Sequence, residues 1–216
     1  MTTFEKAYFD TNYRDYDRQN QPPKLNFYLR NLELHARKSG PLDILEVGCG
    51  LGRFLQYLHE QRPQHRLHAT DISEYGVSQS LSKTPSATIR QASAEDQPFA
   101  NESFDCICSF DVCEHVTNLD GVYRSIHAML RPGGIFVLVV PVYDGLSGPL
   151  IRLLDKDPTH VHKVPRDFWL KWGASDMELV DYIGVVRYLL PWGYYLHLTT
   201  RFWRRHTPAV LAVFRK

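Results

Sequence analysis

Residues 42–52 read Leu-Asp-Ile-Leu-Glu-Val-Gly-Cys-Gly-Leu-Gly, and no other stretch of the 216-residue chain limits its fold as sharply. A short apolar run passes into three glycines at alternate positions, Gly48, Gly50 and Gly52, and then into a helical pattern over residues 53–60. Strand, glycine turn and helix in that order present main-chain N–H groups to a nucleotide-like ligand. The glycines permit φ > 0 and leave room for a ligand that a Cβ would exclude.

The spacing and one acid narrow the ligand. In a dinucleotide fingerprint, G-x-G-x-x-G, the third glycine would stand where this chain has Arg53; here it comes one residue early, at Gly52. Glu46, two residues before the first glycine, would repel a pyrophosphate but can accept hydrogen bonds from an ammonium group. A ligand carrying positive charge is favoured over a dinucleotide.

The remaining pattern is α/β. Leu25, Tyr28, Leu29, Leu32 and Ala36 recur at helical spacing over 24–37, after a turn signal at Pro22-Pro23. Phe54, Leu55 and Leu58 give the helix after the glycine loop an inward face, and residues 66–70 read as a strand ending at Asp71. A carboxylate roughly 20 residues past such a loop, at the end of the next strand, can take both hydroxyls of a ribose. Its other reading is an N-cap, but Ser73 can fill that role. A helix over 74–81 and strands over 87–91 and 104–110 follow. Leu119, Val122, Ile126, Met129 and Leu130 mark another helix, stopped by Arg131-Pro132-Gly133-Gly134, and residues 135–140 are apolar without alternation, as in a parallel strand buried on both faces. Two strand-like runs, 179–186 and 209–214, close the chain.

The E-x-G-x-G-x-G motif after an apolar strand resembles the first motif of the class I S-adenosylmethionine-dependent methyltransferases, and later segments fit in order. The resemblance implies a Rossmann-like, doubly wound, mostly parallel seven-stranded sheet with an antiparallel carboxyl-terminal hairpin. It implies S-adenosylmethionine as cofactor, with Glu46 near the methionyl end, Gly48, Gly50 and Gly52 beneath it, and Asp71-Ile72 at the ribose. Ala92-Ser93-Ala94-Glu95-Asp96-Gln97-Pro98-Phe99 resembles the loop that cradles adenine, with Ala94 and Glu95 in matching places and Ser93 where an aspartate is common. Phe110 stands where it can pack on the cofactor. Asp111-Val112-Cys113-Glu114-His115-Val116 is similar to the branch that includes ubiquinone-biosynthesis O-methyltransferases. Lys24 matches a basic residue that meets the cofactor carboxylate in that branch; a solvated first-turn lysine is its other reading. The resemblance spans about residues 20–170.

The acceptor side is less determined. His160 and then His115 are the candidate bases, each with a structural role as the alternative, and histidine suits proton transfer near neutral pH. In an extended segment His160 and His162 would point the same way. No metal is expected, because no carboxylate or third histidine lies at ligand spacing in this segment. Tyr8, Phe9, Tyr13 and Tyr16 could form a lid or a partly packed arm. Residues 187–205 concentrate aromatics and arginines, which suits a lipid-like substrate, a peripheral membrane contact, a dimer contact, or simple burial.

Composition adds bounds. A hydrophobic share of 44% suits one domain: an arm and helix over 1–40, a cofactor-binding core over 41–141 and a substrate-side segment with the terminal hairpin over 142–216. A formal net charge of +1 gives no case for nucleic acid. Cys49, Cys106, Cys108 and Cys113 read as packing residues of a reducing compartment, and with no apolar leader-like start a cytoplasmic enzyme is expected. The alternative function is a non-catalytic S-adenosylmethionine-binding interaction or regulatory subunit.

Overall fold

The structure, a computed structural model, describes residues 5–12, 15–145, 148–155, 157–189 and 195–216, with residues 12, 188 and 189 described in backbone only. Tyr13, Leu190, Trp192 and Tyr194 lie outside the described residues. In chain order come α1 (Lys6–Asn12), α2 (Tyr16–Gln19), α3 (Pro22–His35), β1 (Asp43–Val47), α4 (Arg53–Gln61), β2 (Arg66–Asp71), α5 (Glu74–Lys83), β3 (Thr88–Gln91) and β4 (Phe104–Phe110). A 3-10 turn at Cys113–His115 leads to α6 (Leu119–Met129), β5 (Leu130–Pro141), α7 (Gly148–Leu154), α8 (Arg166–Gly173), β6 (Glu178–Leu189), β7 (Tyr195–Thr200) and β8 (Ala209–Arg215).

The strands form one sheet in the order β3-β2-β1-β4-β5-β8-β6-β7. β1 pairs in parallel with β2 on one side and β4 on the other, and β8 lies antiparallel between β5 and β6. From β1 the chain runs outward to β3, then returns to β4. The crevice at the carboxyl ends of β1 and β4 is therefore the switch point at which such sheets take ligands.

Alternation along the central strands divides the core. Ile44 faces a cluster with Leu29, Leu32, Leu55 and Leu58 from α3 and α4; Leu45 and Val47 face one with Val122, Ile126 and Trp169 from α6 and α8. All five β1 residues are buried, as a strand covered by helices on both faces requires.

Two expectations change. Pro22 and Pro23 open α3 instead of preceding it, because a proline at the first helical positions loses no intrahelical hydrogen bond. The sheet has eight strands, not seven. β6 continues past the expected end at 186 to Leu189, and its second half pairs with β7, Gly184 opposite Thr200 through Leu189 opposite Tyr195. Part of the aromatic-basic connection thus becomes sheet, which brings Arg187 and Tyr195 over the crevice.

Candidate active site

Two joined cavities occupy the switch point. The first, about 270 Å³, is lined by Gly48, Gly50, Asp71, Ile72, Ala94, Glu95 and Val116. The second, about 450 Å³, runs from Lys24 and Glu46 to His115, His160 and Arg187. Tyr8, Gly48, Gly50, Phe110, Asp111 and His115 border both.

The glycine loop is built to be tight. Gly48 has φ +78°, and a Cβ there would lie 2.3 Å from Val112 Cγ2. Gly52, at φ +74°, precedes α4; a Cβ on it would meet Ser80 Oγ at 2.5 Å. Gly48 N and Cys49 N donate to the Thr70 carbonyl at 2.8 and 3.0 Å, which pins the loop to the end of β2. Gly50 N donates to Asp71 Oδ2 at 2.7 Å, and Ser73 N to Asp71 Oδ1 at 2.9 Å. Asp71 is thereby oriented at the first cavity, while Ser73 Oγ caps α5 by accepting from Gly76 N at 3.1 Å. The capping role lies with Ser73, so the carboxylate of Asp71 keeps lone pairs for a ligand. Ile72 sits at the rim, 39% exposed. In the loop after β3, Ser93 Oγ accepts from Glu95 N at 3.2 Å, and Ser93, Ala94 and Glu95 line the cavity.

At the other end Glu46 and Lys24 are both buried. Among the described residues Glu46 Oε2 has no hydrogen-bond partner, and burial pushes its carboxyl well above the usual range, with Asp71 adding to the shift. Lys24 donates to Asn20 Oδ1 at 3.2 Å and lies near the rings of Tyr28 and Tyr195. Among the described residues it forms no ion pair, and burial lowers its pKa to about 8. A solvated lysine it is not. A buried carboxylate with one oxygen unpartnered and a buried ammonium without an ion pair among the described residues face one cavity, and each is costly alone. A zwitterion with its own ammonium and carboxylate satisfies both. The α-amino acid end of S-adenosylmethionine is such a group, and the ribose-facing Asp71 and the loop at Ala94-Glu95 continue the same cavity toward a nucleoside, so the residues present fit this cofactor.

Phe110 borders both cavities, its ring stacked on Tyr28 at 4.3 Å. Asp111, at φ +60°, forms a bidentate pair with Arg187 at 2.5 Å for both bonds, so it is held by β6 instead of standing open to the reaction centre. The arm is placed over the ligand space: Tyr8 borders both cavities and donates to Asp157 Oδ2 at 3.5 Å, and Phe9 is buried against Tyr75. Tyr16 closes the methionyl end, its hydroxyl accepting from Arg53 N at 3.3 Å.

The candidate bases meet. His115 and His160 have ring centroids 4.6 Å apart. His160 Nδ1 lies 2.8 Å from Asp155 Oδ2, which also accepts from the Tyr143 hydroxyl and, at 3.0 Å, from Lys163 Nζ. These donors hold Asp155 well below the usual carboxylate range despite its burial. His115 Nδ1 is 2.8 Å from Thr159 Oγ1, and burial followed by the neighbouring His160 lowers its pKa. His162 does not join them: its Nε2 lies 2.8 Å from the Val116 carbonyl and its ring stacks on Phe168. The reason is local. Val161 N and His162 N both donate to the Glu114 carbonyl, which breaks the extended alternation that would have aligned the two histidines.

Sequence spacing offered no carboxylate or third histidine as a ligand beside His160 and His162, but in space Glu114, His115 and His160 each offer a ligand atom within 4.8 Å of the others, a spacing that can hold a cation. Sequence reading also missed Asp155, Tyr143 and Arg187. Arg187 had one usable signal, a lone charge inside the apolar run 183–190, which a fold tolerates when the charge is paired.

The sheet order, the glycine loop at the switch point and the buried Glu46 and Lys24 on one cavity together define an S-adenosylmethionine-binding Rossmann-like domain. Residues 45–138 match the family described as "Methyltransferase domain", so the cofactor-binding core is that of an S-adenosylmethionine-dependent methyltransferase. It is 33% identical over 169 residues to a ubiquinone biosynthesis O-methyltransferase of Mesorhizobium japonicum, covering 69% of this chain and 65% of that one. A sterol 24-C-methyltransferase of Gibberella zeae is 26% identical over 147 residues, covering 65% of this chain and 37% of the relative. Among solved structures, an S-adenosylmethionine-dependent methyltransferase of Thermotoga maritima superposes with a TM-score of 0.68 at 14% identity, covering 97% of this chain and 99% of that one, a likeness of fold. The match spans 65% of the length of the Mesorhizobium relative and 37% of the Gibberella one.

Proposed function

We propose that the chain transfers a methyl group from S-adenosylmethionine to a hydroxyl of a small, lipid-precursor-like acceptor, with His160 as the general base. The observation that carries the reading is the Asp155–His160 pair at 2.8 Å on the wall of the second cavity, beyond the groups that suit the methionyl end. Bound there, the cofactor supplies a methyl group made electrophilic by its sulfonium.

The chain's residues do the rest. Glu46 accepts from the ammonium and Lys24 donates to the carboxylate, which fixes one end; Asp71 accepts from the ribose hydroxyls, which fixes the middle. Asp155 holds the Nδ1 proton of His160, leaving Nε2 to receive the proton of the acceptor hydroxyl. Tyr143 and Lys163 keep Asp155 ionised, so it can steady the imidazolium that forms. Tyr8 and α1 shield the site from water, which a displacement at carbon needs as much as it needs acid-base help.

A hydroxyl acceptor suits a site with a base. Relatives named for ubiquinone biosynthesis and tocopherol O-methylation share the cofactor core, and their names support an apolar molecule with a ring hydroxyl. The competing reading, a cofactor-binding regulatory subunit, leaves the oriented histidine without a task. In an acceptor panel of phenols, catechols and quinol-like lipids, His160→Gln is expected to lower kcat by about 10²- to 10⁴-fold, the usual worth of a positioned base. Undiminished turnover in that variant would remove His160 from the reaction.

A further inference from the structure

A built apolar and basic face flanks the acceptor side of the cavity. Residues 201–206 turn out from the end of β7, with Phe202 91% and Trp203 68% exposed. Adjacent aromatics left in water need a reason, and this turn is held in place: Phe202 N and Trp203 N both donate to Thr200 Oγ1 at 3.1 and 3.2 Å. Beneath it the buried Arg166 commits its guanidinium to the turn, donating to the Arg204 carbonyl and, at 2.7 Å, to the Thr207 carbonyl. α7 begins beside the same turn, because the backbone at Gly145 lies against the Arg205 carbonyl. Leu150, Leu153 and Leu154 share one face of α7 by their spacing, and Leu153 is 75% exposed. Leu154 precedes Asp155, so this helix ends at the acceptor network.

Charge selects the occupant. The segment 198–208 carries Arg201, Arg204, Arg205 and His206 and no carboxylate, and the segment 145–154 carries Arg152 and none. Nearby acids are largely engaged: Asp181 pairs with Arg201 at 2.6 Å and Asp144 with Arg166 at 3.3 Å, leaving Asp167 exposed on α8. A second copy docked through this face about a two-fold axis would set arginines against arginines. Arg201 is neutralised by Asp181 and Arg204 lies over the Tyr182 ring at 3.9 Å, but Arg205 and Arg152 form no ion pair among the described residues; anionic headgroups would accept these two cations while the aromatic and leucine side chains enter the interfacial zone.

We propose that the 201–206 turn and the exposed face of α7 together dock this chain on an anionic lipid bilayer, on the side where α7 runs into Asp155. The docking stands apart from the methyl-transfer reading and is tested without turnover. The full chain is sedimented with vesicles of phosphatidylcholine alone or mixed with phosphatidylglycerol, at low and high salt. Binding is expected to the mixed vesicles only and to weaken with salt. Phe202→Ser/Trp203→Ser and Leu150→Ser/Leu153→Ser should each lower partitioning about tenfold or more, and Arg205→Ser about fivefold, near the usual worth of one basic residue at such a surface. All these side chains are exposed, so melting temperatures should stay at the wild-type value. Wild-type chain that ignores the mixed vesicles overturns the proposal. So does binding that survives both double substitutions, or a concentration-dependent dimer that the substitutions abolish in the absence of lipid binding.

Discussion

The two halves of the crevice are assembled by different means. On the cofactor side the contacts come mainly from the ends of strands and the loops that follow them, Glu46 and the glycines at β1, Asp71 at β2, Ala94 and Glu95 after β3, with Lys24 of α3 and Tyr16 of α2 added at the methionyl end. The acceptor side is drawn from segments far apart in the chain. Tyr8 reaches Asp157 across 149 positions, Asp111 reaches Arg187 across 76, and Thr159 reaches His115 across 44. Backbone geometry therefore fixes the first half, and side-chain pairing fixes the second. One half can keep its ligand while the other is rebuilt.

The largest effect that would break the comparison lies at Asp71. Asp71→Ala removes an acceptor that is oriented by Gly50 and Ser73 and faces the first cavity. Two lost hydrogen bonds to a charged group, each worth about 1.5–3 kcal/mol, should weaken S-adenosylhomocysteine binding by about a hundredfold or more in calorimetry. Substitutions on the acceptor side should leave that affinity within about threefold.

A smaller effect comes from pH. Lys24, at a pKa lowered to about 8 by burial, is charged below that value and neutral above it. A carboxylate favours the charged form, so binding above pH 8 takes up a proton. Affinity for S-adenosylhomocysteine should then fall by up to about tenfold per pH unit beyond what Lys24→Met shows over the same range. Identical slopes for the two proteins would place the cofactor carboxylate elsewhere.

The smallest effect sharpens the adenine end. Ser93 stands where the family commonly has an aspartate, and it already accepts from Glu95 N as an aspartate could. Ser93→Asp should tighten S-adenosylhomocysteine by about three- to tenfold through one added charge-assisted bond. Binding weakened or unchanged would mean that this chain's loop positions adenine by backbone alone.

The same division explains what could be read from the residues in order. The glycine loop, Glu46 and Asp71 carry local signals, because each sits at a strand end whose apolar run is visible and whose spacing is set by one crossover. The α/β class followed from the alternation of such runs, and the doubly wound sheet from the resemblance those motifs carry. The eighth strand did not, since β7 exists only by pairing with the extension of β6, and no short-range pattern encodes that partner. Lys24 was ambiguous for a related reason: a lysine in the first turn of a helix is solvated unless another element covers it, and here α2, Tyr28 and Tyr195 do so. His160 and His162 show the limit of alternation. Two backbone bonds to the Glu114 carbonyl send them to different neighbours, while Asp155, invisible as a functional residue, orients the one that reaches the cavity. The arm and the exposed aromatic turn belong to the same class, legible as composition and not as position. Within the described residues no helix is long and apolar enough to cross a membrane.

The separation of the two halves is tested most directly by titrating S-adenosylhomocysteine into His160→Gln and Asp71→Ala in parallel by calorimetry. His160→Gln should bind like the wild type and Asp71→Ala about a hundredfold more weakly. Wild-type affinity in Asp71→Ala, or lost affinity in His160→Gln with its fold intact, would contradict the account.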